Sequence, residues 1–269
     1  MSKKLSVAVM TKNNERTIGY VLESVKKIAY EIIVVDCGST DNTIKIAEQY
    51  AAKIFFHEFK NFSEQRNYAI SKCTGDYILM LDSDEIVSKG FEKIFSYLDY
   101  GYQSISFARY HLISLEKLEF VITKLHWRDW QNRVFCNNGI ARYGNDKVHE
   151  YLKSYRPRLH CACLQVFHLD YLTNDYNVRK KKVEFYNKLE QGKGFPEFYL
   201  FEDYKYKTAF AVDEIEEALL AAMRKDKVFN RLRYESKRDC ITQLCYASRL
   251  FLYKLLTKLR VFLKSKGRS

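Results

Sequence analysis

Residues 76–85 read DYILMLDSDE. The run YILML is apolar without a break, and it ends abruptly in two aspartates and a glutamate. A short continuous apolar run of this kind reads as a strand buried on both faces, as in a parallel sheet covered by helices. Asp is poor inside strands and costly to bury unpaired, so carboxylates directly after such a run need a reason. Loop and cap chemistry supplies part of one: Asp41 is well placed to cap a helix. It does not account for carboxylates gathering where buried strands end.

The flanking sequence repeats the pattern. LSVAVMT (residues 5–11), EIIVVD (31–36) and the shorter AKIFFHE (52–58) also read as strands. Residues 15–27, 41–50, 63–71 and 88–98 read as the helices between and after them. Strand and helix in alternation predict an α/β domain, Rossmann-like, with a mostly parallel sheet and helices on both faces. Right-handed crossovers then bring the strand carboxyl ends to one edge, where ligands of such sheets bind. Asp36 closes the second strand, and Asp82 and Asp84 close the fourth. Clustered carboxylates at that edge suit Mg²⁺ or Mn²⁺ held against a diphosphate, because hard cations take oxygen ligands.

Beyond residue 101 the alternation stops. SISFARYHLI (104–113), WQNRVF (130–135) and residues 160–169 read as strands without regular helices between the first two, and 173–191 as a charged helix. Residues 196–245 read as mainly helical, and 246–264 as an amphipathic helix. The expected organisation is a catalytic domain over 1–192 and a basic helical region over 193–269.

Charge divides the same way. The chain carries +12, and residues 224–269 hold 14 Lys/Arg against 3 Asp/Glu, a net +11. A basic tail on a near-neutral body points to an anionic surface met by the tail. On a helical wheel Phe251, Leu252, Leu255, Leu256, Leu259, Phe262 and Leu263 share one face. Arg249, Lys254, Lys258, Arg260 and Lys264 lie mostly opposite, interrupted by Leu250 and Val261. That pattern predicts a helix lying in an anionic membrane interface. Seven scattered cysteines without a CxxC pair suggest reduced thiols, and the amino-terminal sequence does not read as a signal peptide. These features predict a cytoplasmic protein, peripheral on the inner face of the cytoplasmic membrane.

The segments AVMTKNNERTI, EIIVVDCGSTDNT, NFSEQRNYAISKCTGDYILMLDSDE and KVHEYL, in this order and spacing, resemble the family-2 GT-A glycosyltransferases. The resemblance covers roughly residues 4–190 and is nearest to the branch containing lipopolysaccharide-core β-1,4-glucosyltransferases. It implies an inverting transfer of a sugar from a nucleoside-diphosphate sugar, UDP preferred over ADP, to a glycan or lipid-linked acceptor in cell-envelope polysaccharide synthesis. By the same resemblance Asp36 contacts the base, Thr11 and Glu15 line the nucleoside pocket, and Arg66 lies near base and phosphate. In the D-x-D triplet Asp82, Ser83 and Asp84, the first acid faces ribose and the last holds the metal. Cys37 stands where many relatives carry a second Asp. A late acid is expected to deprotonate the acceptor; Glu150 of VHE is the best match and Asp129 of WRDWQNRVF the alternative. His168, closing the strand in QVFHLDY, is expected as a second metal ligand.

Two other classes fit less well. A nucleotidyltransferase normally has a glycine-rich loop after its first strand, and MTKNNERT has no glycine. A nucleic-acid-binding protein would use the basic tail, with aromatics interleaved as in RLRYESKR. The acids of the body would repel phosphates unless metal-bridged, so no nucleic acid is expected as partner.

Overall fold

The computed structural model describes residues 3–126, 129–144, 147, 150–153, 156–190, 192, 194–211 and 215–266. The first half runs β1 (Leu5–Thr11), α1 (Ile18–Val25), β2 (Glu31–Asp36), α2 (Thr43–Glu48), β3 (Lys53–Phe56), α3 (Phe62–Lys72), β4 (Tyr77–Asp82), β5 (Glu85–Val87) and α4 (Ile94–Leu98). There follow β6 (Ser104–Ser114), β7 (Glu119–Ile122), β8 (Trp130–Cys136), β9 (Arg142–Tyr143), β10 (Leu152–Lys153) and β11 (Arg158–His168). The chain ends with α5 (Asp170–Thr173), α6 (Tyr176–Leu189), α7 (Pro196–Tyr199), β12 (Lys207–Phe210), α8 (Glu217–Lys225) and α9 (Cys240–Lys266).

The main sheet has the order β12-β7-β6-β8-β4-β1-β2-β3. β3, β2, β1 and β4 are mutually parallel, as the alternation predicts. β8 adds antiparallel to β4, and β6 antiparallel to β8. β11 runs parallel to β6 and antiparallel to β5, which brings the end of β11 over the β4–β5 turn. Successive side chains of a strand point to opposite faces. Val7, Val9, Leu79 and Leu81 therefore pack with Ile18, Val21, Leu22 and Val25 of α1, while Ala8, Ile33, Val35, Ile78 and Met80 pack with Ala69 of α3. Asn61 starts α3 by accepting from the Glu64 amide at 2.8 Å, which satisfies one of its free amide groups.

Two expectations change in detail. Residues 88–98 hold a shorter helix, because the Ser88 amide is still bonded to β11, Gly90 turns the chain at positive φ and residues 91–93 form a 3-10 turn before α4. Residues 196–245 are not simply helical: β12 pairs antiparallel with β7 at the sheet edge. A four-residue strand has no periodicity of its own, and its register comes entirely from its partner.

The carboxy-terminal helix is longer than expected, and its faces are arranged differently. Tyr246, Leu250 and Thr257 are buried, with Tyr253 and Val261 partly so, against the sheet. Tyr246 meets Tyr110 and Phe120 edge-on, and the Thr257 hydroxyl donates to the His160 carbonyl at 3.1 Å. Leu250 and Val261, which seemed to interrupt a basic side, belong to this packing face. The face opposite the apolar stripe is occupied by protein. The basic residues therefore flank the stripe, with Lys254 and Lys258 on one side and Arg249 and Arg260 on the other, following the 3.6-residue turn. The stripe itself, extended by Ile241 and Leu244, is 37–73% exposed.

At the opposite end of the strands, Glu31 ties three of them together. Its carboxylate accepts from Ser6 Oγ at 2.7 Å, the Thr74 amide at 2.6 Å, Thr74 Oγ1 at 2.9 Å and Lys53 Nζ at 2.8 Å. Burial alone would raise this carboxyl, but the hydrogen bonds from Lys53, Ser6 and Thr74 outweigh it and pull it from 4.5 to about 2. The stabilisation is therefore complete above pH 4.5 and lost as the pH falls towards 2. Glu31→Gln is expected to cost roughly 1.5–3 kcal/mol at neutral pH. Urea unfolding of both proteins from pH 7 downward should show the gap closing over that acid window.

Candidate active site

At the carboxyl ends of β1 and β2 two loops clamp each other. Asn13, held at positive φ, accepts from the Thr40 amide at 2.8 Å, and its own amide donates to Ser39 Oγ at 2.8 Å. Glu15 accepts from the Asn42 amide at 3.0 Å and from Asn42 Nδ2 at 2.9 Å, while the Glu15 amide donates to Asp41. Asp36 is buried and shapes its own turn: it accepts from the Gly38 and Ser39 amides, each at 2.9 Å, and from Ser39 Oγ. Thr11 lies beside Asp36 in register, and its buried hydroxyl has no hydrogen-bond partner among the described residues. Asn42 occupies the N-cap of α2 without a side-chain cap bond, and Asp41 just before it accepts from the Thr43 amide at 3.0 Å, while Glu15 clamps the loop.

The D-x-D triplet sits in the β4–β5 turn. Ser83 is buried, and its carbonyl accepts from Thr17 Oγ1 at 2.7 Å. Asp82 is gripped by Arg66 at 2.6 Å and Arg133 at 2.7 Å, with Arg109 at 3.8 Å. Burial alone would raise its carboxyl, but Arg133, Arg66 and Arg109 hold it well below the ordinary range. Behind it lies Glu85, with no exposed surface, paired with Arg109 at 3.0 Å and with Arg133, and accepting from the Asp82 amide at 3.1 Å. Asp84 points the other way, towards His168, with Asp84 Oδ1 and His168 Nε2 3.2 Å apart. The Leu169 amide holds the Asp84 carbonyl at 2.9 Å.

Asp84 and His168 thus converge although 84 positions separate them, because β11 pairs with β5. No group of three or more His, Cys, Asp or Glu side chains among the described residues could hold a metal. A carboxylate and an imidazole with open positions fit a divalent cation whose other ligands are diphosphate oxygens and water. Lys182 of α6 donates to Asp170 at 3.3 Å, and the carboxylates of Asp170 and Asp84 are among the charges that raise its pKa against the effect of burial. One oxygen of the buried Asp170 carboxylate has no hydrogen-bond partner among the described residues.

The two acids considered for proton abstraction are placed differently. Glu150 has a nearly buried side chain and pairs with Arg66 Nε. Val148 and His149 of its motif lie outside the described residues. Asp129 accepts from Arg109 Nε at 2.7 Å, His111 Nε2 at 3.0 Å and Gln131 Nε2 at 2.5 Å. Burial raises its carboxyl, but Arg109 and His111 more than offset this and hold it far below the ordinary range. A carboxylate so engaged is poorly suited to accept a substrate proton.

Several members of the cluster went unassigned in the sequence: Arg109, Arg133, Glu85, His111 and Lys182. A signal was present for three of them. Arg109 and His111 stand two apart in the apolar run SISFARYHLI, and Arg133 interrupts WQNRVF. A charge on one face of a buried strand is rare unless paired. A groove of about 620 Å³ between α1, α2 and α8 shares only Glu15 with the predicted nucleotide residues. The site is therefore defined by its carboxylates and arginines and not by that groove. Arg109→Met strips Asp129 and Glu85 of a buried partner. It is expected to lower the unfolding free energy by about 3–5 kcal/mol, measured by urea denaturation; a loss under 1 kcal/mol (roughly the worth of a surface pair) would contradict a buried network.

Comparison with known proteins shows the family. The family model of Glycosyl transferase family 2 matches residues 6–164, more than half of the chain. An uncharacterized glycosyltransferase of Rickettsia bellii is 30% identical over 190 residues, covering 70% of this chain and 57% of the relative. The chain thus spans little more than half the length of that relative. The lipopolysaccharide core biosynthesis glycosyltransferase LpsC of Rhizobium meliloti is 26% identical over 95 residues, 34% of this chain and 35% of its own. Among solved structures, S. aureus TarS 1–349 aligns with a TM-score of 0.44 at 19% identity, over 71% of this chain and 68% of that one. With a family-2 match running from β1 into β11 and a strand-end D-x-D at the sheet's ligand edge, the chain belongs to the family-2 glycosyltransferases of GT-A fold.

Proposed function

We propose that the protein transfers a hexose from a nucleoside-diphosphate sugar, with inversion, to a hydroxyl of a glycan or lipid-linked acceptor in cell-envelope polysaccharide synthesis. The observation that carries this reading is the convergence of Asp84 and His168 just beyond the arginine-held Asp82. UDP is the carrier implied by the family resemblance. The lipopolysaccharide core biosynthesis role of the Rhizobium meliloti relative supports the cell-envelope part.

In this reading Thr11, Glu15 and Asp36 with its loop receive the nucleoside, and Asp82 and Ser83 lie under the ribose. Asp84 and His168 would hold a divalent cation, Mg²⁺ or Mn²⁺, whose chemistry would be to offset the negative charge of the leaving diphosphate. Arg66 has one buried nitrogen, Nη1, without a partner among the described residues, and it is the atom we assign to a donor phosphate. An Arg66 drawn towards phosphate loosens its hold on Glu150. Glu150 then takes the proton of the acceptor hydroxyl as that oxygen bonds to the anomeric carbon. The bond from that carbon to the diphosphate breaks, and the diphosphate leaves with the electron pair. The protein's main contribution is positioning.

A screen of nucleotide sugars for hydrolysis and transfer, with and without Mn²⁺, tests the reading. Asp84→Ala is expected to abolish metal-dependent turnover without unfolding the protein. Glu150→Gln is expected to keep donor binding and lose about 10²–10⁴-fold in transfer. Unchanged rates in both variants would remove these assignments.

The same reading assigns catalysis to residues 1–192 and membrane contact to residues 193–269, at the inner face of the cytoplasmic membrane. Support comes from the outer face of α9, where an exposed stripe of Ile, Leu and Phe is bordered on both sides by Lys and Arg. Among the described residues no helix is long and apolar enough to cross a membrane. A stripe buried in the acyl boundary, with cations at headgroup level worth about 1 kcal/mol each on an anionic surface, suits a helix lying flat. Removing α9 would uncover Tyr246, Leu250 and Thr257, so the test changes only the outer face. Phe251, Leu255, Leu259 and Phe262 replaced together by Gln should abolish co-sedimentation with phosphatidylglycerol vesicles while preserving hydrolysis of a soluble donor. Equal sedimentation of both proteins, or a stripe-dependent dimer in sedimentation velocity, would refute membrane docking.

A further inference from the structure

Away from the carboxylate–arginine cluster, two thiols meet at an irregularity of β11. Cys161 is the register partner of Phe107 on β6, and the next register pair is Gln165 with Ala108. Four steps along β11 thus match one along β6, and Ala162, Cys163 and Leu164 bulge out of the ladder. In a regular strand, residues two apart share a face with Cα atoms about 6.7 Å apart. That is close to the upper limit for a disulfide, and a bulge bends the chain and shortens the span. Here the Cys161 and Cys163 thiols are hydrogen-bonded to each other, and the Tyr97 hydroxyl of α4 reaches both.

The two sulfurs are unequal. Cys161 has no exposed surface, and burial pushes its thiol up. Cys163 is half-buried and reaches solvent. Hydrogen bonds from Cys161 and Tyr97, helped by the charges of Lys254 and Lys258 on α9, outweigh burial and draw the Cys163 thiol below its ordinary value. The thiolate is the nucleophilic form of cysteine. A partly exposed thiolate with a second thiol in contact is the arrangement that oxidants convert to a disulfide. Neither sulfur takes part in the sugar transfer proposed above.

We propose that Cys161 and Cys163, brought together by the β11 bulge beneath α9, form a redox-active dithiol that a hydroperoxide closes reversibly to a disulfide. The Cys163 thiolate attacks one oxygen of hydrogen peroxide. The O–O bond breaks, and the departing hydroxide takes a proton from solvent to become water. The Cys161 sulfur then attacks the sulfenic acid on Cys163. The S–S bond forms, the S–O bond breaks, and the Cys161 proton leaves with the hydroxyl as a second water. The two thiols lose two electrons, which the peroxide gains, and a dithiol reductant reverses the change by exchange. The Ala162 amide, between the two cysteines, donates to Thr257 Oγ1 at 3.3 Å, and Thr257 donates to the His160 carbonyl at 3.1 Å. Drawing the sulfurs to the bond length of about 2.05 Å pulls on this seat, so closure is transmitted to α9.

Peptide mass spectrometry of the full chain tests this without any variant. The protein is treated with an equimolar dose of hydrogen peroxide, capped with N-ethylmaleimide and digested with trypsin. Cleavage after Arg158 and Arg179 releases residues 159–179, whose only cysteines are Cys161 and Cys163. This peptide should lose two hydrogens and carry no maleimide, and dithiothreitol added before capping should restore two maleimide sites. Closure should outpace oxidation of the more exposed Cys240 and Cys245. In denaturing urea, which removes Tyr97, Lys254 and Lys258 from the pair, that lead should vanish. Both maleimides retained after peroxide, a Cys163 that gains oxygen without closing, or a lead unchanged in urea overturns the proposal. Hydrogen exchange compares the oxidised and reduced proteins around Thr257. Faster exchange there on oxidation is expected, and identical exchange overturns the link to α9.

Discussion

Glu85 places a carboxylate with no exposed surface where β4, β5, β6 and β8 meet. A buried charge of this kind is tolerated only with partners and hydrogen bonds. Arg109 from β6 and Arg133 from β8 supply them, and both also reach Asp82. Arg66 of α3 joins Asp82 to Glu150. The ligand edge of the sheet is thus an alternating lattice of guanidinium and carboxylate groups. Each arginine shared between two acids restricts where those acids can point. Asp82 is turned towards the arginines and Asp84 towards His168, so neighbours two apart in sequence take different tasks.

The second half of the chain completes the site from behind. β11 delivers His168, and α5 follows with Asp170. Phe198 of α7 stacks on His126, and its carbonyl takes the Tyr171 hydroxyl. Arg109 lies over the same Phe198 ring. Residues beyond 192 therefore help wall off the buried His111 and His126 from water, although the family match ends at residue 164. Arg179, fully buried among Tyr171, Phe201 and Tyr234 and paired with Glu202, fastens α6 to this part of the chain. A desolvated surround strengthens hydrogen bonds such as that between His111 and Asp129 and makes any unmatched polar group expensive.

α9 serves two surfaces at once. Its inner face is an ordinary packing face, with Tyr246 and Leu250 closing the core over β6 and β11. Its outer face repeats apolar residues over several turns with nothing packed on them among the described residues. Under the proposed membrane contact, the same helix would connect the bilayer to strands β6 and β11, which carry His111 and His168. An acceptor presented at the membrane would then meet a catalytic edge held at a fixed height above it.

Continuous apolar runs of β-branched and aliphatic residues determined β1, β2 and β4 almost to the residue, because a strand buried on both faces leaves an unmistakable local pattern. The helices between them followed from their own periodicity, and the acids at the strand ends from being out of place there. The amphipathic nature of α9 was equally legible, since an apolar stripe is a local property. Which side of α9 faced protein was not, because packing against β11 depends on residues nearly a hundred positions away. β12 and β5 escaped notice for the same reason: three or four residues become a strand only when a partner supplies the register. Which partners Asp129 and His111 meet was decided by tertiary structure alone. Side-chain type records what a group can donate or accept, but only the pairing of β6 with β8 and β11 determines which partner it meets.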